Sequence, residues 1–214
     1  MLVKHKCTLG LCFTFILMCG IGFGGEVNTT RATQNMQLYL DRIHRSEKYR
    51  EQYKEYSGRA YIAWVSLTRM IYTGEYVKRE LPTQAAEYEK EAVRILERFN
   101  KTDDAGELLL ESKALCSQFP TVYQMTPELN KMATEFSAPS AILLLMGECE
   151  GVPRQSNPGV VVRYPLESAI HNIRGTNEQD AAKNGLYDAF INLLVYFDDP
   201  KILHRLDQCF PVSE

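Results

Sequence analysis

Apolar residues recur every three or four positions along most of the chain, which is the period of one face of an α-helix. The first stripe consists of Met36, Leu40, Ile43, Tyr49, Tyr53, Tyr56, Ala60, Trp64, Leu67 and Ile71, and only Ser46 interrupts it. Ser57 and Gly58 lie midway, where they would either bend one long helix or separate two helices. Gly74 is the expected end of this helical region, since glycine is the usual residue after a helix.

A second stripe predicts a helix from about Thr83 to Phe99, followed by a polar break over residues 100–106. Asp104 and Glu107 resemble a capping box, in which the side chain at the N-cap and the one three positions later satisfy free N–H groups. They are expected to begin a third helix that runs through Leu115.

Thr126-Pro127-Glu128 predicts another helix, because it supplies an N-cap, proline at the first helical position and an acid in the first turn. Pro139 is expected to end this helix and restart the chain. The six residues 141–146 are apolar on every side, which indicates a buried element. A helix is favoured over a strand there, because leucine and methionine outnumber β-branched residues.

Residues 150–159 form the clearest loop, and 160–164 are the best strand candidate, although a single strand has no pairing partner. A short helix is expected over 165–173, and Thr176 with Gln179 resembles a capping box before the next helix. Asp199-Pro200 begins the last one, which is expected to bury Ile202, Leu203 and Leu206 and to end at Cys209. The pattern therefore predicts an all-α bundle of seven or eight amphipathic helices in a single domain, residues 25–214.

The first 24 residues have the pattern of a cleaved signal peptide. Lys4 and Lys6 precede an uncharged apolar stretch, and Gly22 and Gly24 supply the small residues that signal peptidase requires. Cleavage is expected after Gly24, with Gly22 and Gly25 as the alternative positions. The alternative is a signal anchor that stays in the membrane, but the glycines weaken a spanning helix. No later segment is apolar enough to span, so no stable membrane insertion is expected after cleavage.

Cleavage changes the charge of the protein. The 214-residue chain has 24 basic and 27 acidic residues, and removal of two lysines leaves 22 − 27 = −5. An acidic protein is unsuited to nucleic acid or an anionic membrane surface as its main partner. The composition, 45% hydrophobic and 24% charged, also excludes a disordered chain.

Secretion gives meaning to two matches to the N-glycosylation pattern, at Asn28 and Asn100, both expected in exposed loops. It also matters for the three cysteines that survive cleavage, Cys116, Cys149 and Cys209, two of which should pair in an oxidising compartment. Sequence leaves all three pairings open. Cys149–Cys209 is favoured because it would fasten the last helix, with Cys116 as the alternative partner. The remaining cysteine would be buried and inert or would join two copies.

Motifs for catalysis and for metal, cofactor or phosphate binding are absent from the sequence. His44 lies among charged residues and is expected to be solvated, whereas His171 and His204 are less certain. Glu148 and Glu150 flank Cys149 and would raise the pKa of its thiol, which suits a disulfide better than a nucleophile. No enzyme activity and no cofactor are therefore expected, although a site assembled from distant residues stays open.

The most suggestive functional feature is the row Tyr49, Tyr53 and Tyr56, because tyrosine is common in contact surfaces. The same row would also serve as the flank of a helix core. Together these features predict a secreted, extracellular, non-enzymatic protein that binds another macromolecule, such as a signalling, immune, host-directed or reproductive-fluid factor. The alternative is an extracellular carrier that encloses a lipid or other apolar small molecule between its helices.

Overall fold

The architecture is described from a computed structural model, for residues 28–102, 104–119, 123–152 and 176–212. These residues form seven α-helices and no strand: α1 Thr29–Arg45, α2 Glu47–Glu80, α3 Ala85–Thr102, α4 Ala105–Cys116, α5 Pro127–Cys149, α6 Glu178–Leu194 and α7 Pro200–Cys209. The all-α prediction is confirmed. The predicted signal peptide, the strand at 160–164, the helix at 165–173 and His171 lie outside the described residues.

Three of the predicted helix starts are confirmed by their caps. The side chain of Asp104 accepts from the N–H of Glu107 at 2.9 Å, that of Thr126 from Leu129 at 3.2 Å, and that of Asp199 from Lys201 at 2.8 Å. Each satisfies a backbone donor that has no partner inside the helix. Helix α6 begins differently, because its N-cap is Asn177, which accepts from the N–H of Asp180, and not Thr176.

Of the two alternatives for Ser57 and Gly58, the separation into two helices is wrong, because α2 continues through both residues. The predicted end at Gly74 is also wrong, since α2 ends only at Glu80. Gly74 is buried, and a Cβ at this position would lie 3.0 Å from the Tyr88 ring, so the glycine permits close approach of α3. Helix α3 also extends beyond its predicted end at Phe99, since it runs to Thr102 and shortens the polar break.

Pro139 does not restart the chain, which corrects the third predicted boundary. Helix α5 passes through Pro139 and continues to Cys149. Proline removes one helical hydrogen bond, at a cost of about 3 kcal/mol in an isolated helix. Every residue from Phe136 to Gly147 is buried, so packing offsets this loss and keeps the helix continuous. The predicted buried helix at 141–146 is confirmed within it.

Helix α2, about 51 Å long at 1.5 Å per residue, is the axis of the bundle. Helix α5 runs antiparallel to its first half: Tyr56 contacts Glu148, the Ser57 and Ser137 hydroxyls lie 3.1 Å apart, and Tyr61 bonds Asn130. Helices α3 and α4 pack against its second half, where the Tyr88 hydroxyl donates to the carbonyl of Met70.

Helix α6 runs parallel to α5, as the contacts Glu128–Lys183 and Phe136–Phe190 show. Helix α5 therefore ends beside the start of α2, whereas α6 begins at the opposite end of the bundle, where Arg79 pairs with Glu178. All seven helices contribute to one continuous core. Its largest fully buried side chains include Trp64, Phe197, Ile43, Leu145 and Leu186.

Candidate functional site

Helix α7 packs where α1 ends, α2 begins and α5 ends, and several of the residues that the sequence singled out meet here. We call this region the α7 junction. It comprises Tyr39, Arg42, Tyr49, Glu148, Cys149, Glu150, Arg205, Asp207, Cys209 and Phe210.

A disulfide joins Cys149, the last residue of α5, to Cys209, the last residue of α7. This is the pair that the sequence favours, and it fastens α7 to the body of the bundle. Cys149 is exposed, whereas Cys209 is 4% exposed. The two ends of the disulfide therefore lie in different surroundings, one at the surface and one in the core.

Next to the disulfide, Glu150 accepts two hydrogen bonds from the guanidinium of Arg205, at 2.7 and 2.5 Å. The bidentate geometry aligns α7 with the end of α5. Because Arg205 stabilises the charged carboxylate, the pKa of Glu150 lies below its usual range.

On the other face of α7, the Asp207 carboxylate joins the helix to α1. The Tyr39 hydroxyl donates to Asp207 at 3.0 Å and lies 3.1 Å from the carbonyl of Leu203, and the Arg42 guanidinium donates to Asp207 at 2.7 Å. Burial, followed by the bond to Asp207, raises the pKa of Tyr39 to about 12. The bond from Arg42 in turn lowers the pKa of Asp207. Tyr39 therefore stays protonated and serves as a donor.

The predicted interaction row of tyrosines divides in the structure. Tyr56 is 3% exposed and donates to Glu148, which corrects its assignment to an exposed face. Tyr49 is half-buried with its ring edge-on to Phe210 at 5.0 Å, and half-buried Tyr53 contacts His44 in the same way. Only Tyr49 and Tyr53 keep surface that a partner can reach.

The Glu148 carboxylate accepts hydrogen bonds from side chains of α2. In addition to Tyr56, the Gln52 amide donates to Glu148 at 3.2 Å, and both partners come from α2. A carboxylate that accepts bonds from neutral donors in this way positions helices. It serves here to hold the start of α2 against the end of α5.

The two described histidines have surface positions. His44 is exposed beside the Tyr53 ring, and His204 is exposed, with its Nε2 3.2 Å from the amide nitrogen of Gln208. Within the described ranges, no group of three or more histidine, cysteine, aspartate or glutamate side chains is placed to hold a metal ion.

Cys116 lies far from this region, between α2, α3 and α4. It is 5% exposed, its sulfur is 3.7 Å from the Tyr88 hydroxyl, and its thiol points to the carbonyl of Arg69. Burial raises the pKa of the thiol, which keeps it neutral. The sequence left open whether the third cysteine is a buried thiol or joins two copies, and in the structure Cys116 is a buried free thiol.

A small pocket lies between α2 and α3, lined by residues that include Ile71, Gly74, Ala85, Tyr88 and Ala92. Its volume is about 30 Å³, whereas sites for small molecules usually measure roughly 300–1,000 Å³. The pocket is therefore too small for a lipid.

The two glycosylation matches occupy different surroundings. Asn28 is exposed at the start of α1, where its side-chain oxygen accepts from the N–H of Arg31 at 3.0 Å. Asn100 lies in the last turn of α3, so the expected loop at this position is a helix end.

Sequence reasoning missed Tyr39, Arg42 and Asp207, the three side chains that join α1 to α7. Their separation of more than 160 positions leaves no local signal. The contact between Tyr39 of α1 and the Asp207 carboxylate of α7 forms only when the helices are assembled.

No protein family, curated protein or solved structure matches this chain. Among the helices described, none is long and apolar enough to cross a membrane.

Proposed function

We propose that the protein is secreted and acts, without catalysis of its own, by binding another macromolecule. The observation that carries this proposal is the Cys149–Cys209 disulfide, which fastens one helix to the bundle. Disulfides form and persist mainly in oxidising compartments. The signal-peptide pattern over residues 1–24 and the glycosylation match at exposed Asn28 support the same compartment.

Because the apolar residues pack into the core, we favour a binding site on the surface over one inside the bundle. Long stripes from all seven helices fill one core, and the described pocket between α2 and α3 is about 30 Å³. A carrier needs a connected apolar cavity about ten times larger. The pocket in the described part of the chain does not reach that size, and we keep the macromolecular partner as our first candidate and the apolar small molecule as the second.

We assign the partner contact to the accessible parts of Tyr49 and Tyr53. Both rings are fixed by aromatic neighbours, Phe210 and His44, so little rotamer freedom is lost when a partner binds them. Tyrosine combines apolar area with a hydroxyl that can bond across an interface. Exposed Lys48 beside Tyr49 adds a positive charge to the same surface.

The compartment is tested by expression of the complete chain in cultured eukaryotic cells. The protein should appear in the medium, with an N-terminus at Gly25. Retention of the whole chain inside the cell would contradict secretion.

Binding is tested with the labelled, secreted protein on intact cells of the producing organism. We expect saturable binding that excess unlabelled protein displaces, and a reduction of at least tenfold in the Tyr49→Ser/Tyr53→Ser variant. Tyr187→Ser is the matched control, since Tyr187 is 52% exposed on α6, outside the α7 junction. Equal loss in the control would refute the assignment, and co-purified lipid in a solvent extract would favour the carrier.

A further inference from the structure

Helix α7 is held by fewer buried side chains than the helices of the core. Of its ten residues only Leu206 and Cys209 are buried, and Phe210 follows directly after the helix. By contrast, α5 buries twelve consecutive residues, from Phe136 to Gly147. Since apolar burial is the main force that holds a helix to its neighbours, α7 depends on other contacts.

The polar contacts of α7 are open to water. The Asp207 side chain that pairs with Arg42 is 56% exposed, and the Arg205 side chain that pairs with Glu150 is 42% exposed. Ion pairs at such positions contribute little to stability, because solvent and salt screen them. The covalent bond from Cys149 to Cys209 is consequently the strongest connection between α7 and α5.

This disulfide is accessible to a reductant. Cys149 is exposed at the end of α5 whereas Cys209 is buried, so the approach of an attacking thiolate is from the Cys149 side. The flanking carboxylates would repel a thiolate, but Arg205 pairs with Glu150, and Tyr56 and Gln52 donate to Glu148. The positive charge of Arg205 reduces the negative field that an incoming thiolate meets.

We propose that the Cys149–Cys209 disulfide is a redox-sensitive clasp, whose reduction releases α7 while the other six helices stay folded. The reductant is a dithiol, either a small molecule or a thioredoxin-type oxidoreductase. One of its thiolates attacks the Cys149 sulfur and forms a mixed disulfide, and Cys209 leaves as a thiolate that takes up a proton. The second thiol then displaces Cys149, so that the reductant ends as a disulfide and the protein as two thiols.

Release of α7 would alter the surface of the α7 junction. Phe210 would leave the edge of the Tyr49 ring, and Tyr39 would lose its bonds to Asp207 and to the carbonyl of Leu203. Buried Tyr39 and the covered part of half-buried Tyr49 would then face solvent. This inference goes beyond the proposed function and holds whether or not a partner binds there.

The test is hydrogen–deuterium exchange of the full secreted protein, read by mass spectrometry before and after treatment with dithiothreitol. We expect amides of residues 203–209 to exchange at least tenfold faster after reduction, while those in the middle of α2 and α5 stay unchanged. Alkylation should label Cys149 and Cys209 but not Cys116. Unchanged protection of α7 would overturn the proposal, and so would accelerated exchange throughout the bundle.

A Cys149→Ser/Cys209→Ser variant should reproduce the reduced pattern without a reductant. If this variant does not fold, reduction of the folded wild-type protein still decides the question. Arg205→Gln should speed exchange of α7 by less than threefold in the oxidised protein and further in the reduced one. Lys54→Gln, which breaks an exposed ion pair on α2, is the matched control and should leave α7 unchanged in both states.

Discussion

Two glycines of helix α2 should respond in opposite ways to replacement by alanine. Gly58 is exposed and a Cβ there would meet no atom within 4 Å, whereas a Cβ on Gly74 would lie 3.0 Å from Cε1 of Tyr88. Both positions are helical, so alanine gains the same backbone entropy at each. The difference between the two variants therefore measures the packing of α3 against α2.

The magnitudes follow from the surroundings. Gly58→Ala should stabilise the protein by about 0.5–1 kcal/mol, the usual gain in a helix interior. At Gly74 the Tyr88 ring cannot withdraw freely, because its hydroxyl donates to Met70 at 2.6 Å and its edge meets Phe119. Overpacking of about 1–3 kcal/mol, less the gain in propensity, leaves Gly74→Ala destabilised by about 0.5–2 kcal/mol.

Urea unfolding followed by circular dichroism at 222 nm measures both changes. Thermal midpoints should shift in the same directions, by about 2–4 °C per kcal/mol for a protein of this size. A stabilised Gly74→Ala variant would refute the close approach of the Tyr88 ring. The penalty should also shrink in a Tyr88→Leu background, because the two positions are coupled through contact.

Three further predictions concern the cysteine, the glycans and pH. Cys116 should not react with a thiol reagent such as DTNB until the protein is unfolded, because it is buried and its thiol pKa is raised; rapid labelling of the native protein would contradict this. In protein secreted from eukaryotic cells, Asn28→Gln and Asn100→Gln should each remove one step of the mass shift produced by a glycosidase, and an unchanged mass would exclude that site. The carboxyl groups of Glu150 and Asp207 have lower pKa values in the folded protein than in the unfolded chain. Their contribution to the stability of the folded protein is therefore complete above the unfolded pKa of about 4, and it is lost as the pH falls through the folded pKa values. Exchange of α7 amides, corrected for intrinsic rates, should therefore rise below about pH 4, and flat protection would refute the role of these ion pairs.

The helix starts were the most predictable part of the fold. Asp104, Thr126 and Asp199 cap helices because their side chains bond N–H groups within the next three residues, so the signal and the effect are both local. The favoured disulfide was less determined, since the sequence alone allowed three pairings. Assembly of α5 and α7 brings Cys149 and Cys209 together and leaves Cys116 between other helices.

The helix interruptions were the least predictable part. Gly58, Gly74 and Pro139 are all residues that weaken an isolated helix, and the local rules placed bends or ends there. In the folded protein, α2 and α5 bury long faces against each other and against α6, and this burial outweighs the local cost. The burial of Tyr56 was equally unpredictable. Its position in an amphipathic row does not show that its hydroxyl bonds Glu148 of the facing helix.

The sequence by itself determined the helical class and most helix starts, because periodicity and capping act over a few residues, and it also determined the net charge and contains the signal-peptide and glycosylation patterns. Only the tertiary structure decided which helices run unbroken, which cysteines pair, and which tyrosines keep an accessible surface. Those outcomes depend on groups more than fifty positions apart, such as Tyr39 with Asp207 and Cys149 with Cys209. Their free energy arises only when the packed core brings the helices into contact.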